Sequence, residues 1–104
     1  AFSDERLKSE IKTIEDGLTK VEQLRGVTYV RDDIEDGGQQ LGVIAQEIEK
    51  VFPQAVLEKG LPYLSEDEDN PDVYKTVEYD QIVGLLVQAV KELKAEVEEL
   101  KGAK

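Results

Sequence analysis

The chain has 104 residues, no Cys, no His and a formal net charge of −11, from 13 basic and 24 acidic side chains. This excludes a disulfide framework, a thiol nucleophile, a Ser-His-Asp relay and an imidazole or thiolate metal site, and it disfavours nucleic acid or anionic lipid as a partner. At this length one domain is expected, and a hydrophobic content of 39% supports a small core of the kind often supplemented by oligomerisation.

Leu7, Ile11, Ile14, Leu18, Val21 and Leu24 recur at spacings of 4, 3, 4, 3 and 3, which predicts a helical segment from Ser3 to about Arg25. Ser3 is the expected N-cap, Asp4 and Glu5 suit a first turn, and Asp16-Gly17 is expected to split the segment into two helical pieces. After Gly26, Val27-Thr28-Tyr29-Val30 reads as a strand, residues 32–40 as a polar loop, and Leu41 to Val43 as a short returning strand. Ile44 to Val51 is a short amphipathic helix stopped at Pro53, because Phe52 before a proline avoids the α region.

Ala55-Val56-Leu57 and Tyr74-Lys75-Thr76-Val77 read as two more strands. Between them, residues 65–72 are acidic at five of eight positions and read as a solvated loop; a calcium loop would need a glycine and a terminal Glu that Asp67-Glu68-Asp69-Asn70-Pro71 does not supply.

The last segment has the clearest period. Tyr79, Val83, Leu86, Val90, Leu93, Val97 and Leu100 alternate at spacings of 4 and 3, a heptad register with Val at a and Leu at d. Glu96 and Lys101 are placed for an interchain pair, while Ile82, Leu85 and Ala89 add a second apolar face early in the helix. The helix is therefore expected to pack on its own domain at its start and on copies of itself at its end. Val at a with Leu at d favours two parallel strands, and the sequence alone leaves the number of strands open.

No Met is present and the chain opens on Ala1, so a fragment of a longer protein, or one trimmed at its front, is expected, with initiator removal as the alternative. No signal-peptide pattern opens it, and the longest apolar run, Ile82 to Val87, is too short to span a bilayer.

The nucleophiles are Ser3, Ser9, Ser65, four Thr and the Tyr hydroxyls. With His and Cys absent, a Ser needs Lys, a carboxylate or an N-terminal amine as its base. Ser3 and Lys8 lie close in sequence, but on one helix their five-residue separation turns them about 140° apart. Their meeting would need Ser3 outside the helix or a lysine from a neighbouring chain. By composition and spacing alone, Ser3 is a cap and Lys8 an ordinary exposed lysine.

Three blocks in order change that weighing: Ser3-Asp4-Glu5-Arg6-Leu7-Lys8 with Ile11; Leu41-Gly42-Val43-Ile44-Ala45-Gln46-Glu47-Ile48-Glu49-Lys50-Val51-Phe52-Pro53; and Tyr74 through Leu93. Together they resemble the C-terminal intramolecular chaperone domain of endosialidase-type phage tailspikes and tail fibres, a self-cleaving Ser-Lys peptidase family. The resemblance covers nearly the whole chain, and its Gly-x-Ile-Ala-Gln-Glu block is the most specific part.

The resemblance implies a homotrimer that registers and folds an upstream fibre of the same polypeptide, in the host cytoplasm during virion assembly, and then leaves by autoproteolysis beside Ser3. Ser3 and Lys8 match the family's nucleophile and general base, and Asp4 the adjacent motif residue. No cofactor, metal or small-molecule ligand is implied. Many members carry Asn where Glu10 stands, and Ala1-Phe2 still precede Ser3 here.

The expected architecture is a single α+β domain: a segment 3–25 with the cleavage motif, a core 26–77 with a small antiparallel sheet and short helices, and a long helix 78–104 forming a trimeric coiled coil through Val83, Leu86, Val90, Leu93, Val97 and Leu100. The alternatives are a permanent, uncleaved trimerisation cap and a generic acidic module that docks a partner helix.

Overall fold

The computed structural model describes residues 2–102. It is an α+β structure of two compact units: the described residues up to Glu22 together with those from Tyr79 onward, and Gln23–Glu78.

In the first unit, a 3₁₀ turn at Glu5–Leu7 is followed by irregular chain, then α1 (Gly17–Glu22), and the unit closes with the long helix α3 (Tyr79–Gly102). The predicted helix over Ser3 to Arg25 is thus mostly absent: only six of its residues form α-helix. Two physical causes are visible. Glu10 and Asp16 have φ of 53° and 55°, left-handed values that no α-helix contains. Leu7 and Ile11, two residues of the predicted stripe, are 72% and 67% exposed, and a short helix without a surface for its apolar face is marginal. Asp16-Gly17 does end one stretch and begin another, but the stretch before it is not helical.

Helix α1 forms because it finds α3. The side of α3 carrying Ile82, Leu85 and Ala89 is buried, with Leu85 fully inaccessible. Gly17 is buried at the contact, where its N–H donates to Glu92 Oε2 at 2.9 Å. A Cβ at Gly17 would stand 2.8 Å from that oxygen and 3.2 Å from the backbone nitrogen of Ala89. The approach of the two helices therefore depends on having no side chain there.

The second unit contains two separate two-stranded antiparallel sheets, in place of the one small sheet expected. Strand β1 (Val27–Val30) pairs with β2 (Gln39–Gly42), Thr28 opposite Leu41. Strand β3 (Val56–Gly60) pairs with β4 (Val73–Val77), Glu58 opposite Lys75. Helix α2 (Ala45–Val51) lies between the hairpins in the chain and packs on β3 and β4, burying Ile48 completely. Phe52, at φ −144°, is its C-cap, and Pro53 opens the next 3₁₀ turn, as the proline rule predicts.

Polar contacts fasten this unit. Arg25 grips Glu47 of α2 with two nitrogens at 2.9–3.1 Å. Lys75 bridges Glu49 and Glu58 at 2.9 and 3.1 Å. In the β1–β2 loop, Asp33 accepts from Arg31 and from the Tyr63 hydroxyl, 2.6 Å away, and these partners hold its carboxyl well below the usual range. The acidic stretch 65–72 is a closed turn: the Asp72 N–H donates to Ser65 Oγ, and Asp69 to Asp67 Oδ1. No helix among the described residues is long and apolar enough to cross a membrane.

Two stability changes follow. Gly17→Ala is expected to lower stability by about 1–2 kcal/mol, read as a reduced urea midpoint, because the added methyl displaces Glu92 and crowds a backbone. Glu10→Asn is expected to raise it by about 0.5 kcal/mol, because Asn tolerates the left-handed backbone better than Glu; an unchanged or lower midpoint would count against the assignment of that turn.

Candidate active site and association face

The N-terminal motif is built on a single tight turn. Asp4, extended at φ −64° and ψ 132°, caps the 3₁₀ turn and accepts the Arg6 N–H on Oδ1 at 2.8 Å. Leu7 N–H donates to the Asp4 carbonyl and Lys8 N–H to that of Glu5, both at 3.0 Å, closing the turn. Asp4, and not Ser3, is therefore the cap, which leaves the Ser3 hydroxyl free for another partner.

That partner is Lys8. Its Nζ lies 2.6 Å from Ser3 Oγ, within one chain. The helical argument placed the two side chains on different faces; the structure overturns its premise. Lys8 lies beyond the turn in an extended conformation, φ −119° and ψ 145°, and its side chain folds back over the turn it has just left. Ser3 lies outside the turn, one of the two routes the sequence left open, and no second chain is needed for the contact. Drawn with the ammonium, the contact has lysine donating to the hydroxyl. With a neutral amine the same geometry runs in reverse, the hydroxyl donating to nitrogen, which is the arrangement a general base requires.

Arg6 is the residue that sequence reasoning passed over. Its guanidinium takes both Asp4 oxygens, Nε to Oδ1 at 3.1 Å and Nη2 to Oδ2 at 2.8 Å. This pairing holds the Asp4 carboxyl below its ordinary value. The available signal was the spacing: in Asp4-Glu5-Arg6, an acid and a base two residues apart do not face each other on an α-helix, so their pairing calls for a turn or extended chain there. The Asp33–Tyr63 contact gives no local signal, since the two stand 30 residues apart.

The second feature is the outer face of α3. Val83, Leu86, Val90, Leu93, Val97 and Leu100 are all exposed, from 41% at Val97 to 69% at Leu100. They form a continuous stripe separate from the Ile82, Leu85 and Ala89 side that is buried. The structure thus resolves the two apolar faces of the helix into one occupied within the chain and one left open. Exposed apolar surface of this extent on a helix makes this stripe a candidate association face.

The sequence model of a family described as "Chaperone of endosialidase" (Peptidase_S74) matches residues 3–57, more than half of the chain. The chain is also similar to proteins named long tail fiber protein Gp37. It is 41% identical over 102 residues to that of Enterobacteria phage K3, covering 94% of this chain and 8% of the relative. The match to the phage T2 protein has the same identity and covers 7% of it. The phage M1 protein is 36% identical over 104 residues, with 38% of it covered. The chain therefore spans only a small part of these relatives' length. With more than half of its length matched by that model, the chain belongs to the chaperone of endosialidase family.

Proposed function

We propose that this chain is an intramolecular chaperone of a phage tail fibre or tailspike, which trimerises, aligns the polypeptide that precedes it, and is then released by self-cleavage beside Ser3. Family membership and the tail fibre relatives support the chaperone role. The observation that carries the cleavage reading is the 2.6 Å contact between Lys8 Nζ and Ser3 Oγ.

The chemistry follows from ring size. Attack by Ser3 Oγ on its own carbonyl carbon would close a four-membered ring, whereas attack on the Phe2 carbonyl closes a five-membered one. The Phe2–Ser3 bond is therefore the one assigned to cleavage. Lys8, as the neutral amine, takes the hydroxyl proton while Oγ bonds to the Phe2 carbonyl carbon. The carbon–nitrogen bond then breaks, the Ser3 nitrogen receives the proton, and Phe2 is left as an ester on Oγ. Water hydrolyses the ester to a free Phe2 carboxylate and restores the hydroxyl. One water is consumed and no external substrate enters.

Assembly supplies the control. Both Ser3 and Lys8 are exposed in the lone chain. Covering them with neighbouring chains and the upstream fibre would remove water from the amine and favour its neutral, basic form. The coupling would make cleavage a checkpoint: the chain cuts only once the trimer has formed. Removal of the chaperone then leaves the fibre without its assembly aid, so that its unfolding is kinetically trapped.

The stripe on α3 serves the trimer in this reading. Replacing Val90 and Leu93 together by Asp is expected to abolish association, measured by sedimentation, and cleavage with it. The direct test expresses the chain with its upstream polypeptide and reads intact mass. The unmodified protein is expected to release a fragment beginning at Ser3, and Ser3→Ala and Lys8→Ala to remain whole. An uncut product that is nonetheless trimeric would leave a permanent trimerisation cap in place of a self-cleaving one.

A further inference from the structure

We propose that Arg6 is a positioning residue that holds the Asp4 carboxylate away from Lys8 and so keeps the lysine nitrogen on Ser3. This rests on reading Ser3 and Lys8 as nucleophile and base.

The turn from Ser3 to Lys8 carries one hydroxyl, two cations and two acidic side chains, Asp4 directly beside the nucleophile and Glu5 after it. Asp4 offers Lys8 an obvious alternative partner. Were lysine to take it, two things would follow. The amine nitrogen would leave Ser3 Oγ, and a carboxylate at close range would stabilise the ammonium, the form that cannot accept a proton.

The structure shows the alternative pairing closed off. Asp4 Oδ1 accepts from the Arg6 backbone N–H at 2.8 Å and from Nε at 3.1 Å, while Oδ2 accepts from Nη2 at 2.8 Å and Nε at 3.3 Å. Both oxygens are engaged by one residue, and Lys8 is left with the hydroxyl at 2.6 Å.

Arginine suits this duty better than lysine. Its planar fork satisfies a carboxylate at two points, and it stays protonated under conditions where a neighbouring amine is neutral. Packing does not explain it, since the Arg6 side chain is 89% exposed. The carboxylate has its own reason to stay: it caps the turn that brings Ser3 and Lys8 within reach. Arg6 thus lets the turn keep an acidic cap without the acid disabling the base.

The test is a rescue cycle, run with the chain attached to its upstream polypeptide and read as the half-time of cleavage by intact mass. Arg6→Ala is expected to slow cleavage roughly tenfold, because the freed carboxylate draws the lysine nitrogen off Ser3 and favours its ammonium form. Adding Asp4→Asn to that variant is expected to restore most of the rate. Asn still offers a cap oxygen to the residue 6 N–H but has no charge with which to hold Lys8. Arg6→Lys is expected to fall between the native and Ala proteins.

A double variant as slow as Arg6→Ala would overturn the proposal and make Arg6 a merely structural member of the turn. Cleavage of Arg6→Ala at the native rate would overturn it as well, and so would a loss of assembly in Arg6→Ala that Asp4→Asn leaves unrepaired. Failure of the underlying reading looks different: Ser3→Ala and Lys8→Ala, run alongside, would then cleave like the native chain.

Discussion

Helix α3 carries more apolar surface than one chain can cover, and much of the structure depends on that imbalance. Ile82, Leu85 and Ala89 are buried. Val83, Leu86, Val90, Leu93, Val97 and Leu100 remain in water. Only five hydrophobic residues among those described are buried, Ile48 and Ala55 being the others. A core of that size stabilises little by itself. The open stripe of α3 is a large reserve of further burial, which the proposed association would use.

The same economy shapes the N-terminal segment. Phe2, Leu7 and Ile11 are exposed, and the backbone between the 3₁₀ turn and α1 makes no regular structure. What order the first residues have is local and polar: a capped turn, a guanidinium–carboxylate fork and an amine on a hydroxyl. Such contacts are individually weak in water. A motif held this way has its geometry set by short-range chemistry, while its electrostatic environment is left for neighbours to supply. The proposed coupling of cleavage to assembly has its physical basis here.

The two units use different means of cohesion. The α1–α3 contact is a close helix approach at Gly17, where an added side chain would crowd Glu92 and the Ala89 backbone. The unit from Gln23 to Glu78 relies on two short hairpins, one buried isoleucine and bidentate ion pairs. Its sheets have two strands each, below the number that is stable alone, and α2 packs on the β3–β4 pair.

Much of this was legible in the sequence, and the legible parts share a cause. The strand at Val27–Val30, the helix stopped before Pro53, the strand after Ala55 and the long terminal helix each follow from local rules of proline geometry, β-branching and helical period. The two apolar faces of α3 follow from its period alone. The period of the first segment was equally regular, yet only Gly17–Glu22 became α-helix, because a stripe forms a helix only where another surface receives it. The pairing of Ser3 with Lys8 was hidden for the same reason: helical spacing separates them, and only a capped 3₁₀ turn followed by extended chain joins them. Sequence by itself determined which residues carry apolar periods and which carry chemistry. Tertiary structure decided which periods found partners and how the turn folded, since those depend on contacts between residues far apart in the chain and on backbone angles that spacing does not encode.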